Sequence, residues 1–154
     1  MKNIAILAAF AAVLTSPAYA EKSPLGSPIG KWVIYGESDP MTDKMSCIAY
    51  YGGEKFVQVT DDSFAIGYGG RGGLEGYTLR FDNDAALEMT LPSRSEKSVS
   101  AFIISDTDPR YARLVTATRL RVQAITVLSS LANDDVDLTD FPKVLARLKG
   151  PECT

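Results

Sequence analysis

Histidine is absent from all 154 residues. That excludes Ser-His triads, Cys-His dyads, imidazole general bases and every histidine metal site. A basic excess is lacking too: 16 lysines and arginines face 19 aspartates and glutamates, a formal charge of −3. Removing Lys2 with a leader gives −3 − 1 = −4. Such a balance does not neutralise a phosphate backbone, so nucleic acid is not an expected partner. Long apolar runs are missing as well, apart from Ile4 to Leu14 at the N-terminus. That run is broken by Thr15, Ser16 and Pro17 and falls short of the roughly 20 residues needed to span a bilayer.

What is present at that end is Lys2, the apolar run, and Ala18-Tyr19-Ala20. These are the charged region, hydrophobic region and small-residue cleavage site of a secretory signal peptide over residues 1–20. Glu21 is then the expected first mature residue, and no stable membrane insertion is expected after cleavage. The remaining 154 − 20 = 134 residues suit one domain. Hydrophobic residues at 45% and charged residues at 23% are ordinary for a chain that folds around a core. In an exported chain the only two cysteines, Cys47 and Cys153, read as one disulfide tying the C-terminus to an early strand. A reactive thiol pair is the sharper alternative, although redox pairs usually stand as Cys-x-x-Cys.

Residues 21–30 read as an extended lead-in and 31–154 as a single β-rich domain. Short aromatic and β-branched segments recur at Lys31 to Tyr35, Ser46 to Tyr51, Lys55 to Thr60, Ser63 to Tyr68, Tyr77 to Phe81 and Ala101 to Ile104. Gly52-Gly53, Asp61-Asp62 and Asp82-Asn83-Asp84 supply turn chemistry between them. Leu120, Val122 and Ala124 alternate with Arg119, Arg121 and Gln123, a strand with a basic outer row. Asp108-Pro109 opens a short helix near 109–115. Phe141, Val144, Leu145 and Leu148 recur at helical spacing and predict a C-terminal helix near 141–149. The expected fold is mainly β: a single antiparallel β-sandwich or partly closed barrel with these two helices. Trp32 and Tyr50-Tyr51 read as core or partly buried strand aromatics.

Catalytic and metal motifs fare poorly. Gly67-Tyr68-Gly69-Gly70-Arg71-Gly72 matches G-x-G-x-x-G, but a strand follows it where a dinucleotide site needs a helix. No acidic cluster fits a calcium loop, and neither Ser-x-x-Lys nor Gly-x-Ser-x-Gly occurs. No metal site, cofactor or catalytic residue is therefore expected, and the chain is read as not an enzyme. The six glycines between Gly67 and Gly76, with Tyr68, Arg71 and Glu75, instead suggest a loop that presents a cation and a phenol to a partner.

Taken in order, Trp32, Glu37-Ser38-Asp39-Pro40-Met41-Thr42-Asp43, Tyr77-Thr78-Leu79-Arg80-Phe81-Asp82, Asp137-Leu138-Thr139-Asp140-Phe141, Val144-Leu145 and Cys153 resemble small periplasmic bacterial proteins related to type VI secretion accessory proteins. More loosely, they resemble invasion-associated locus B proteins. The resemblance implies a disulfide-stapled β-sandwich in the periplasm with no cofactor. A similarity of role links the chain to periplasmic lysozyme inhibitors, which push a loop into a glycosidase cleft; Gly73-Leu74-Glu75-Gly76-Tyr77 approximates their signature.

The leading expectation is thus a periplasmic or secreted non-enzymatic binding protein, a monomer or weak dimer. It would inhibit or regulate a lysozyme or lytic transglycosylase through Tyr68, Arg71, Glu75 and Tyr77. The alternative is a structural or assembly accessory of the envelope, and a third reading is an enzyme or ligand carrier. A protruding Arg71 loop would mark the first, a flat apolar patch the second, and an enclosed pocket the third.

Overall fold

The computed structural model describes residues 23–52, 56–128 and 131–153. The signal segment 1–20 lies outside them. A six-stranded antiparallel sheet runs in the order β1-β2-β3-β4-β5-β7, and a three-stranded sheet in the order β6-β8-β9. The strands of the first are β1 (Ser23–Pro24), β2 (Trp32–Ser38), β3 (Met45–Tyr51), β4 (Val57–Val59), β5 (Ser63–Gly67) and β7 (Ala101–Ser105). Those of the second are β6 (Leu74–Phe81), β8 (Arg119–Thr126) and β9 (Ala132–Asp137). The sheets do not close into a barrel, so of the two expected architectures the open one holds.

Alternation is clear in β2, β5 and β8. In β8, Leu120, Val122 and Ala124 are buried while Arg119, Gln123 and Ile125 are exposed, as the period of two requires. Aromatic side chains join the layers: Tyr77 of β6 stacks on Phe102 of β7 with centroids 4.9 Å apart. Helix α3 (Phe141–Leu148) inserts Phe141 between Trp32 and Phe64, at 5.8 and 5.9 Å. Helix α2 (Pro109–Thr116) has Asp108 as N-cap, its carboxylate accepting from Arg110 N at 2.8 Å. Cys47 and Cys153 are bonded, 106 residues apart in sequence, and fasten the chain end to β3. Such a bond belongs to an oxidising compartment. Among the described residues no helix is long and apolar enough to cross a membrane.

The structure adds elements that the sequence reading omitted, helix α1 (Arg94–Val99) and strand β9 among them. Helix α1 starts with a capping box, in which Ser93 and Glu96 satisfy one another's backbone amides. Strand β9 arises from the acidic run Asp134, Asp135 and Asp137. The strand expected over Lys55 to Thr60 shortens to Val57–Val59, and Lys55 lies outside the described residues.

Candidate functional site

The glycine-rich stretch is not a ten-residue loop. Gly67 still belongs to β5 and Leu74 already belongs to β6, which leaves Tyr68 to Gly73 as the crossing between the two sheets. The crossing is one 3₁₀ turn (Gly69–Arg71), closed by hydrogen bonds from Arg71 N and Gly73 N to Tyr68 O at 2.9 and 3.2 Å. Gly72 and Gly73 then take φ of +83° and +112°, a region L side chains seldom enter. Hairpin β8–β9 holds the turn from outside: Leu128 N donates to Arg71 O at 3.0 Å and Val127 N to Gly73 O at 3.4 Å. The glycines thus serve a tight, pinned change of sheet rather than a free recognition loop.

The four residues expected to meet a partner are consequently divided. Arg71 is exposed on the turn, and it lines a recess of about 260 Å³ with Tyr68, Phe56 and Asp134. Tyr68 is otherwise buried, and its hydroxyl donates to Asp134 Oδ2 at 2.8 Å. Burial and then the Asp134 carboxylate push this phenol far above its ordinary range, so it remains a donor. Glu75 is exposed but points to α1, where Lys97 Nζ lies 3.8 Å away.

Tyr77 is buried and has a structural task. Its hydroxyl lies 3.3 Å from Glu96 Oε1 and accepts from Arg110 Nη1 at 3.3 Å. Burial raises its pKa, with Arg110 opposing. Arg110 in turn chelates Asp108 (Nη2 to Oδ2, 2.6 Å) and lies over the Tyr77 ring. The buried Glu96 carboxylate also accepts from Ile103 N at 3.0 Å and Ser93 N at 2.8 Å. Burial opposes its ionisation, but these donors outweigh that and hold its pKa below the ordinary glutamate value. The expectation that Tyr68 and Tyr77 present phenols to a partner is therefore corrected, because alternation along β6 and the crossing turn both direct them inward.

What does lie open beside the turn is apolar. Leu128 is 78% exposed, Val127 61%, Met89 58% and Leu131 54%. Val127 and Leu128 pack over Gly72, while Met89 and Ile125 flank Gly76. Exposed apolar side chains thus flank two glycines of the crossing and of β6, a surface of the sort that marks protein contact. No sequence expectation located it. The runs Ile125-Thr126-Val127-Leu128 and Leu87-Glu88-Met89 were the available signal, and sequence did not show that they share one end of the molecule. Among the described residues no group of three acidic or sulfur side chains gathers to hold a metal.

Fold and surface together define an open, two-sheet antiparallel β protein with a disulfide-anchored C-terminal helix and an apolar end. No protein-family model matches the chain, and no curated protein matches it. Among solved structures, the crystal structure of invasion associated protein b from Bartonella henselae aligns with 80% of this chain and 95% of its own, at 19% identity and a TM-score of 0.49. Likeness at that level assigns neither activity nor partner, and no similarity to type VI secretion proteins emerges.

Proposed function

We propose that this chain is an exported, non-catalytic protein-binding module of the bacterial cell envelope, resident in the periplasm or secreted. Its partner docks on the apolar end formed by hairpin β8–β9, the Tyr68–Gly73 crossing and Met89. The observation that carries this reading is the exposure of Val127 and Leu128 beside a turn pinned to their own hairpin, with Met89 exposed at Gly76. The disulfide supports an oxidising compartment. A photo-crosslinker placed at Leu128 should capture one envelope protein that a crosslinker at the still more exposed Met41, on the β2–β3 turn, does not. Leu128→Asp should abolish the capture; equal capture at both positions would remove the reading.

The more specific form is that the partner is a peptidoglycan-cleaving enzyme, a lysozyme or lytic transglycosylase. Arg71 favours it: an exposed guanidinium stands at the rim of the apolar surface, its carbonyl fastened to Leu128. A cation in such a setting can enter a glycosidase cleft and pair with its carboxylates, an interaction strengthened by desolvation. Mature protein should inhibit a member of an enzyme panel, and Arg71→Ala should weaken that inhibition. Absence of inhibition across the panel removes this form and leaves an assembly or structural accessory of the envelope, the reading that the pinned turn and the exposed apolar side chains also support.

A further inference from the structure

The outward face of sheet β6-β8-β9 carries cross-strand rows set by register. Thr78, Gln123 and Asn133 make one row, and Arg80, Arg121 and Asp135 the next. Two arginines thus stand directly opposite one another on adjacent strands, an arrangement that costs stability when nothing lies between the charges. Asp135, across the ladder from Arg121, offsets part of that repulsion. Among the described residues Arg80 donates only to main-chain carbonyls, Nε to Asp84 O at 2.7 Å and Nη2 to Asn83 O at 3.5 Å. Arg121 Nη2 donates to Asp82 O. Its Nε is buried and has no hydrogen-bond partner among the described residues.

The nearby carboxylates also have other partners. Asp135 is paired with Arg119 and Asp84 with Arg113. Asp82 receives Thr118 N, Thr118 Oγ1 and Arg119 N, and Asp134 receives the Tyr68 hydroxyl. Carbonyl contacts orient the two guanidinium groups without cancelling their charge. Both line a concavity of about 320 Å³ together with Thr78, Gln123, Asn133 and Ala86.

We propose that this concavity binds a small hydroxylated carboxylic acid, of sugar-acid type, whose carboxylate bridges Arg80 and Arg121. A planar carboxylate matches the guanidinium fork in a way that rewards two facing arginines. The volume lies at the lower end for small-molecule sites and suits one ring rather than a polymer. Asp134 and Asp135 also line the concavity, which disfavours dianions such as phosphate. Gln123 Nε2 donates to Asn133 Oδ1 at 3.3 Å, and the remaining amide groups and the Thr78 hydroxyl are suited to ligand hydroxyls.

The test is NMR titration of the mature, disulfide-bonded protein with D-glucuronate, glucose and inorganic phosphate in parallel. Glucuronate should give saturable shifts at residues 78–80, 121–123 and 133, with glucose and phosphate at least about tenfold weaker. Arg80→Gln and Arg121→Gln should each weaken glucuronate about tenfold or more, while Arg94→Gln on α1, outside the concavity, leaves it unchanged. Should Arg121→Gln fail to fold, Arg80→Gln decides alone. The proposal is overturned if glucuronate gives no saturation up to about 10 mM, if glucose binds as well, if phosphate binds tighter, or if the arginine variants retain affinity.

Discussion

Gly72 shows how a single residue constrains the surface argued to meet a partner. With φ at +83° and an added Cβ only 2.6 Å from Leu128 Cγ, any side chain both strains the backbone and pushes the hairpin away. Gly72→Ala should cost more than about 1 kcal/mol of stability, read by denaturant unfolding. It should also weaken capture at Leu128; unchanged stability would mean that the turn is not pinned as described. Glu96 is the second decisive residue. Its folded pKa is depressed, so its contribution is complete above the unfolded value of about 4.3 and is lost as pH falls through the folded pKa. Asp82, Asp108, Asp135 and Asp137 are depressed as well and act in the same acid range. Glu96→Gln should lower stability at pH 7 and flatten the acid limb of the stability profile relative to wild type. A parallel profile would show that the carboxylate is not held ionised by its donors.

At the scale of elements, helix α1 is short enough to depend on its first turn. Ser93 Oγ receives Glu96 N at 3.3 Å and donates to Glu96 Oε2 at 2.7 Å. Ser93→Ala should cost about 1 kcal/mol by chemical denaturation. The double variant with Glu96→Gln should cost less than the sum of the two, because the residues share one network; strict additivity would contradict it. The box Ser93-x-x-Glu96 was legible in the sequence as a helix start, yet only a six-residue helix follows, without an apolar stripe to draw attention. Strand β9 was illegible for the opposite reason. Its acids fit an edge strand only once Arg119 pairs with Asp135 and Tyr68 reaches Asp134, and neither partner is near in sequence. Strands β2, β3, β5 and β8 were readable because their alternation or aromatic content is local.

For the whole molecule, the Cys47–Cys153 bond closes most of the domain into one loop. Opening it releases denatured-chain entropy worth up to about 4.7 kcal/mol for a loop of about 100 residues. The double variant Cys47→Ser, Cys153→Ser should lose about 2 to 5 kcal/mol in denaturant midpoint analysis, with β content by circular dichroism retained. A loss below this range would mean that α3 is held by Phe141 packing rather than by the staple. Phe141 itself spans the question, since it touches both Trp32 and Phe64 of the first sheet.

The sequence alone determined the elements whose information is local: the disulfide as the sole possible cysteine pair, the capped and amphipathic helices α2 and α3, the alternating strands, and the exclusion of histidine chemistry. Tertiary structure decided which faces look outward. A strand's side chains alternate at a fixed period, but the layer that covers one face comes from distant chain. Hence Tyr68 and Tyr77, local candidates for recognition, were taken into the core by β7 and β9. Val127, Leu128 and Met89, unremarked in sequence, were left in the open. The register of β6 against β8, which sets Arg80 across from Arg121, follows from pairing between segments about 40 residues apart and is invisible in either one alone.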